Sequence, residues 1–269
     1  MRKLVIGVYI GFAVFIIIGL SVTIFTRGNR KTESVTVSSK QILKDAQDSF
    51  LAGDLVEAKR LYKEAMPQIS DLNQLDIVKN KVENINMKII FSQILDDGSS
   101  NYIVKPNDAL VKIARKFNTT VDLIKSSNNL DSDVIIPGQA LKVNIDKFAI
   151  AIDKSQNMLF LKRGNEIIKR YLVSTGKDNS SPVGSFKIVN KLAHPTWFKT
   201  GAVISPDSPE NILGSRWMGF DIKGYGIHGT IEPEKMGEQV TLGCIRMKNE
   251  EVEELFAVIP TGTEVDIVD

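Results

Sequence analysis

The chain is poor in the residues that build disulfides, metal sites and phosphate loops. Its 269 residues include one cysteine, Cys244, and two histidines, His194 and His228. One cysteine cannot form an internal disulfide, and Cys244 with one histidine falls short of the ligand number of a zinc site. No glycine-rich loop has the spacing of a phosphate-binding motif. We therefore expect neither a metal nor a cofactor.

The sequence also lacks an excess of charge of either sign. Lysine and arginine number 34 against 32 acidic residues, which gives a net charge of +2. An imbalance this small gives no reason to expect nucleic acid as a partner. Hydrophobic residues make up 43% and charged residues 25% of the chain, as in ordinary globular proteins. The length allows two or more domains.

One long apolar run stands at the start of the chain. Leu4 to Phe25 contains no charged residue, and as a helix it would measure about 33 Å, enough to cross a bilayer. A cleaved signal peptide is the alternative, but its apolar region usually has only about 7–15 residues. Thr26-Arg27-Gly28 is also not a small-x-small cleavage site. We expect residues 1–30 to form an uncleaved, single-pass membrane anchor.

Residues 31–98 are predicted to hold a polar linker followed by helices. Apolar residues recur at helical spacing on both sides of Gly53-Asp54, and Pro67 ends the second run. This hairpin resembles one tetratricopeptide unit, with matching residues at Ala46, Phe50, Gly53, Ala58, Tyr62 and Ala65. Such units normally stack on neighbours, so a plain helical stalk is an equal alternative. A third helix from Leu75 to Leu95 would cover the hairpin.

Residues 101–145 have the pattern strand, helix, helix, strand. Asp108 is well placed to cap the first helix, and Thr119 or Thr120 to cap the second. The segments 134–136 and 141–143 return as strand around a Pro-Gly turn.

Three sequence stretches make this small α+β unit similar to a LysM domain, a module that binds N-acetylglucosamine-containing glycans. They are the segment 102–114, the run Asn128-Asn129-Leu130 and the segment 136–143. Ala109 departs from the family, because a threonine is usual there. The alternative is a packing domain without glycan affinity.

From Phe148 onward the apolar residues alternate with a period of two. Short strands with close turn signals predict an antiparallel sandwich or barrel over residues 147–269. One helix is predicted at 250–258 and a last strand at 263–268. The fold class is therefore multidomain, with a mainly-β domain behind the small α+β unit, a helical segment and one transmembrane helix.

The only cysteine lies 16 positions after a histidine, in a glycine-rich setting. If neighbouring strands bring them together, His228 can take the proton of Cys244 and hold a thiolate. Gly243 lets successive backbone amides surround an oxyanion beside the thiol. Arg246, two residues on, points to the same side of an extended chain, where it can favour the thiolate or bind a substrate carboxylate. A buried, inert cysteine is the alternative.

The segments 224–229 and 241–247 are similar to the signature of the L,D-transpeptidase catalytic domain, the YkuD family. The residues that match are His228, Gly243, Cys244 and Arg246. Further similarity lies in the segments 175–177, 181–186, 194–198, 209–211 and 213–217. Thr241 stands where serine is usual, and Leu242 replaces a histidine of many members, which leaves His228 as the one base.

The resemblance implies peptidoglycan cross-linking. Cys244 would attack a stem tetrapeptide, release D-alanine and pass the resulting thioester to an amine of a second stem, giving a 3→3 link. His228 would be base and then acid, oriented by the carbonyl of Gly229. Backbone amides of Leu242, Gly243 and Cys244 would bind the oxyanion. Further catalytic support is expected from Arg246, and substrate contacts from Tyr225, Trp217 and Thr241.

Peptidoglycan, through its stem peptides and its glycan, is the partner that this resemblance implies. The apolar run at the start of the chain adds the bacterial cell membrane, with the catalytic domain expected to be extracytoplasmic at the cell wall. Several functions remain open from the sequence. An L,D-carboxypeptidase or endopeptidase would use the same nucleophile with water, and a related reaction would attach a protein to the wall. A non-enzymatic scaffold that binds the wall through the LysM unit is a further alternative.

Overall fold

Three helices open the part of the chain that this computed structural model describes, residues 38–269. They are α1 Ser39–Leu51, α2 Leu55–Ala65 and α3 Leu72–Ile90. The predicted hairpin is confirmed: Gly53 turns the chain with a φ of +83°, and the Asp54 carboxylate accepts the Glu57 amide at 3.0 Å as the cap of α2. The third helix begins and ends earlier than predicted.

The predicted membrane anchor lies outside the described residues. Within residues 38–269, no helix combines the length and the apolar character needed to cross a bilayer.

The strand–helix–helix–strand unit is confirmed. It consists of β1 Ser99–Ile103, α4 Leu110–Lys116, α5 Val121–Asn128 and β2 Ala140–Asn144. The two strands pair antiparallel, with Tyr102 opposite Leu141. Thr120 caps α5, because its hydroxyl accepts the Leu123 amide at 2.9 Å.

Two details of this unit were predicted wrongly. Asp108 does not cap α4, whose first turn follows Ala109 without a side-chain cap. The Asp108 carboxylate instead accepts the Tyr102 hydroxyl at 2.7 Å and the Lys105 amide at 2.8 Å, which fastens the end of β1 to the turn after it. The segment 134–136 is not a strand, since β2 begins only at Ala140.

Strands and one helix make up the rest of the chain. Their bounds are β3 Phe148–Asp153, β4 Met158–Arg163, β5 Glu166–Leu172, β6 Thr175–Gly176, β7 Gly184–Ala193, β8 Trp197–Lys199, β9 Ala202–Ile204, β10 Arg216–Phe220, β11 Gly226–His228, β12 Gln239–Thr241, β13 Ile245–Arg246, α6 Asn249–Val258 and β14 Glu264–Val268. The predicted last helix and last strand each start one residue from the predicted position.

Eight of these strands form one mixed sheet, in the order β13-β11-β10-β7-β14-β3-β4-β5. β14 runs parallel to β3, and β13 runs parallel to β11. The mainly-β character is therefore confirmed, whereas purely antiparallel pairing is wrong. Parallel neighbours need a long crossover, which the segment 229–244 supplies between β11 and β13. Two small sheets, β6 with β12 and β8 with β9, stand beside the main one.

The chain beyond β5 ties the two ends of the main sheet together. Ser174 pairs with Arg246 of β13 in an antiparallel bridge. Each residue's amide donates to the other's carbonyl at 2.9 Å. The sheet thus curls into a half-barrel, and the Ser174–Arg246 bridge that joins its two ends lies next to Cys244.

The helical segment, the LysM unit and the sheet pack as one compact unit. Met87 and Ile90 of α3 and Leu123 of α5 belong to the same buried cluster as the strands. Buried Lys142 of β2 donates to the carbonyls of Ile89 at 2.5 Å and Ser92 at 2.9 Å, which caps the C-terminal end of α3. The domain boundaries drawn at 98–101 and 145–147 stay predictions.

We predict that Lys142→Met lowers the free energy of unfolding of the full chain. The substitution keeps the apolar stem but removes the ammonium donor from both carbonyls. The Ile89 carbonyl keeps the Ser92 amide at 3.2 Å, whereas the Ser92 carbonyl, just after α3, is left without a donor, at a cost of about 1–3 kcal/mol. Urea unfolding measures this, and the matched control is Lys147→Met at an exposed position, which should stay within about 0.5 kcal/mol of the wild type. Equal values for the two variants would contradict this role of Lys142.

Candidate active site

Six of the nine predicted site residues line one cleft of about 520 Å³, whereas Tyr225, Gly229 and Gly243 are not among its lining residues. Its walls come from the β7–β8 and β10 regions and from the segment before β13. The lining residues are Leu192, Pro195, Thr196, Trp197, Phe198, Ile212, Leu213, Trp217, Gly224, His228, Val240, Thr241, Leu242, Cys244 and Arg246. The cleft therefore holds the nucleophile, the base and the arginine that the sequence singled out.

Parallel pairing of β11 with β13 brings the two signature segments together. His228 lies opposite Arg246 in the register. The Met247 amide donates to the His228 carbonyl at 2.8 Å and extends this pairing. Cys244 directly precedes β13, at the point where the chain enters the cleft.

His228 is a buried imidazole with a fixed tautomer. Its side chain is 3% exposed. Nδ1–H donates to the Gly229 carbonyl at 2.6 Å, so the lone pair lies on Nε2, for which the described residues offer no hydrogen-bond partner. Burial lowers the pKa of His228 to about 4; the Gly229 carbonyl opposes this shift and the nearby Arg246 charge adds to it. The ring is therefore neutral at pH 7, as a general base must be.

Trp217 of β10 covers the imidazole. The two rings are stacked, with centroids 6.2 Å apart and planes inclined by 20°. Trp217 Nε1 donates to Asn190 Oδ1 at 2.9 Å, which fixes the indole. Gly226 makes room for it, because a Cβ there would lie 2.9 Å from Trp217 Cζ2. Trp217 thus keeps water off one face of the base.

The Cys244 thiol lies at the cleft surface but is largely desolvated. Burial raises its pKa above the ordinary value, and a contact with backbone at Gly226 lowers it by less. Sγ also donates to the Gly224 carbonyl, 3.5 Å away. The sequence led us to expect a thiolate held by His228, whereas the structure favours a resting pair in which thiol and imidazole are both neutral.

The turn before the thiol is held by Thr241. Its hydroxyl accepts the Gly243 amide at 3.1 Å and donates to the Cys244 carbonyl at 2.6 Å. Gly243 has a φ of +119°, and a Cβ there would come within 2.6 Å of the Tyr225 ring. The Gly243 amide is thus already used. Of the three amides predicted to bind an oxyanion, those of Leu242 and Cys244 have no recorded hydrogen bond within residues 38–269.

Arg246 is buried and paired. Its Nη1 lies 3.0 Å from Glu232 Oε2, while Nε is buried without a partner in the described structure. Lys235, with Arg246, holds the pKa of Glu232 below its usual range. Glu232 was not predicted, because nothing in a run of charged residues typical of a surface indicates which carboxylate faces the arginine.

The remaining predicted residues differ in whether they line the cleft. Leu242 is 90% exposed at the rim of the cleft. Tyr225 is partly buried against the main core and beneath Gly243, and is not among the lining residues. Its role in substrate binding stays a prediction, as do those of Trp217 and Thr241.

Asn249, at the start of α6, is a second functional residue that the sequence did not predict. Its Oδ1 accepts the amides of Ser215 and Thr230, each at 3.1 Å, and its Nδ2 donates to the Thr230 carbonyl at 2.8 Å. A Cβ on Gly229 would lie 2.2 Å from Asn249 Oδ1. Asn249 therefore fixes the segment whose Gly229 carbonyl sets the His228 tautomer. The only sequence signal at this position is an asparagine followed by the acidic first turn of a helix. That pattern indicates a helix cap and not an active-site residue.

Comparison with known families agrees with this geometry. The YkuD model, the L,D-transpeptidase catalytic domain, matches residues 147–267, and the LysM domain model matches residues 102–144. YqjB of Bacillus subtilis strain 168, which is named among the L,D-transpeptidases, is 44% identical over 126 residues, covering 45% of this chain and 70% of its own.

Two further proteins are similar to this chain. YkuD of Bacillus licheniformis, also named among the L,D-transpeptidases, is 33% identical over 174 residues, which cover 62% of this chain and 97% of that protein. An L,D-transpeptidase structure from Mycobacterium smegmatis has 16% identity and a TM-score of 0.39 and covers 50% of this chain; this chain spans 65% of its length. The identity over nearly the whole Bacillus licheniformis protein and the matched signature show that the chain belongs to the YkuD family of L,D-transpeptidases, with a LysM domain ahead of the catalytic domain.

Proposed function

We propose that this protein forms 3→3 cross-links in peptidoglycan through a thioester on Cys244. One observation carries the proposal: Cys244, His228 and Arg246 line a single cleft beside two backbone amides that are not otherwise used. The residues 1–30 would hold the enzyme at the membrane, with this cleft on the wall side.

In the first half of the reaction, His228 Nε2 takes the thiol proton as Sγ attacks the carbonyl between the third and fourth residues of a tetrapeptide stem. The amides of Leu242 and Cys244 donate to the oxyanion that forms. The imidazolium then gives its proton to the departing amine, so D-alanine leaves and the acyl group remains on sulfur. Because the resting pair is neutral, charge develops only once the substrate has arrived.

In the second half, an amine of a neighbouring stem attacks the thioester. His228 takes a proton from that amine, and the proton returns to sulfur as the new amide forms. Arg246, held by Glu232, supports the developing negative charge from within the cleft. Water in place of the amine would give a carboxypeptidase, and exclusion of water by the apolar walls favours transfer.

The test uses the full chain, because the three segments share a core. We expect incubation with a disaccharide-tetrapeptide to give a dimer lacking one D-alanine, detected by mass spectrometry, and Cys244→Ala to give none. Loss of D-alanine without a dimer would move the assignment to a carboxypeptidase. No change in the substrate would leave the wall-binding scaffold as the function.

We predict that the free thiol behaves as a protonated, high-pKa group. Burial raises the pKa of Cys244, so alkylation by iodoacetamide should be slow at pH 7 and its rate should still be rising with pH at pH 9, where an ordinary thiol is half ionised. The single cysteine makes the rate unambiguous. His228→Ala should leave the alkylation profile unchanged, since the resting thiol is not paired with the ring. A reactive thiolate already formed at pH 7 would contradict the neutral pair.

We further predict that Asn249 sets the acid limb of the pH profile of kcat/KM. In the wild type this limb reports protonation of His228, with a pKa of about 4. Asn249→Asp keeps an acceptor for the Ser215 and Thr230 amides but adds negative charge near the ring. The charge favours the imidazolium, so the limb should move to higher pH and activity at pH 5 should fall.

The matched control for this variant is Asn165→Asp, which makes the same charge change at an exposed turn. It should leave the acid limb in place. If Asn249→Asp lowered kcat/KM equally at every pH, Asn249 would only stabilise the fold and would not tune the histidine.

A further inference from the structure

The turn that carries the thiol is in contact with a second turn of the chain. We call residues 241–244 the nucleophile turn, and residues 176–181, from the end of β6 onward, the support turn. β6 pairs in parallel with β12, and Gly176 lies opposite Thr241 in this pairing. The support turn contributes no lining residue to the active-site cleft, and no step of the proposed reaction uses it.

The two turns meet at a pair of glycines. A Cβ on Gly176 would lie 2.9 Å from Gly243 Cα, and a Cβ on Gly243 would lie 3.0 Å from the Ser180 carbonyl oxygen. The same Cβ position on Gly243 is 2.6 Å from the Tyr225 ring. Gly243 is therefore packed against both the support turn and Tyr225, and the contact with the support turn is between backbones.

A buried hydroxyl group closes the support turn. Ser181 Oγ accepts the Gly176 amide at 2.8 Å, and Ser181 is 2% exposed. A Cβ on Gly176 would also lie 2.6 Å from the Ser181 amide nitrogen, so the two ends of the turn are in close contact. The Ser181 hydroxyl thus sets the position of Gly176, and through it the surface on which Gly243 packs.

The backbone of the support turn is strained. Asp178 and Asn179 have φ values of +54° and +61°, which cost free energy in residues other than glycine. Asn179 Nδ2 donates to Asp269 Oδ1 at 3.0 Å, and the buried ammonium of Lys154 lies 2.9 Å from the same oxygen. Strain of this kind persists only where surrounding contacts impose it, and it is most frequent at functional sites. This turn therefore has a shape that its contacts maintain, directly against the nucleophile turn.

We propose that Ser181 is a positioning residue for acyl transfer. Through Gly176, its hydroxyl fixes the position of Gly243. The amides of Leu242 and Cys244 flank that glycine and are thereby aimed at the oxyanion. A hydrogen bond weakens steeply as its angle departs from linear, so a small shift of this turn costs much of the stabilisation. The inference rests on the proposed oxyanion role of these two amides, and it does not depend on which acceptor the enzyme uses.

The test compares two reactions of Cys244 in the full chain, neither of which needs a stem peptide. With 4-nitrophenyl acetate, Sγ attacks the ester carbonyl, an oxyanion forms, the thiol proton passes to His228, and 4-nitrophenolate leaves an acetyl thioester. With iodoacetamide, Sγ displaces iodide from a saturated carbon and no oxyanion forms. We expect Ser181→Ala to lower the acetylation rate about tenfold, less than the loss of a whole oxyanion donor, and to keep the alkylation rate within about twofold of the wild type. Cys244→Ala gives the background acetylation of other groups.

Two further variants control for folding. Ser127→Ala removes a hydroxyl that is nearly as deeply buried, in α5, and should change neither rate. Asn179→Ala acts on the support turn from an exposed position and should give the same selective loss, which keeps the proposal testable if Ser181→Ala does not fold. An equal fall in both rates, or no fall in acetylation, would overturn the positioning role. Absence of cross-linked peptidoglycan would refute only the proposed function, because both probes report on Cys244 without it.

Discussion

The short strand β13 is the constraint on which the site depends. It has only two residues, yet it pairs with β11 on one side and with Ser174 on the other. The pairing with β11 places Arg246 beside His228. The pairing with Ser174 fixes the position of the chain segment that carries Cys244. Because two sets of backbone hydrogen bonds hold so short a segment, the thiol and the imidazole reach one cleft from parts of the chain 16 residues apart.

Burial sets the chemistry of the pair. It disfavours charge on both groups, which lowers the pKa of the histidine and raises that of the cysteine. The Gly229 carbonyl, held in turn through Asn249, then decides which ring nitrogen can accept a proton. A neutral thiol at the rim of an apolar cleft is less open to oxidation than a free thiolate would be.

The sequence predicted the local features well and the long-range ones poorly. The helical hairpin, the LysM-like unit and the grouping of Cys244 with His228 follow from periodicity and from a short signature. Asp108 was misassigned because its carboxylate finds partners in β1 and the turn, which a capping rule does not consider. Glu232 and Asn249 were missed for a different reason: their partners lie far along the chain, 14 residues away for Glu232 and 19 and 34 residues away for Asn249.

The core shared by α3, α5 and the sheet has a consequence for how such a chain evolves. A module on a flexible linker can be exchanged, duplicated or lost without harm to its neighbours. Here removal of the LysM unit would strip Leu123 from the main core and expose apolar surface on the catalytic sheet. The LysM unit and the catalytic domain are therefore inherited together, and substitutions at their junction must be matched on both sides.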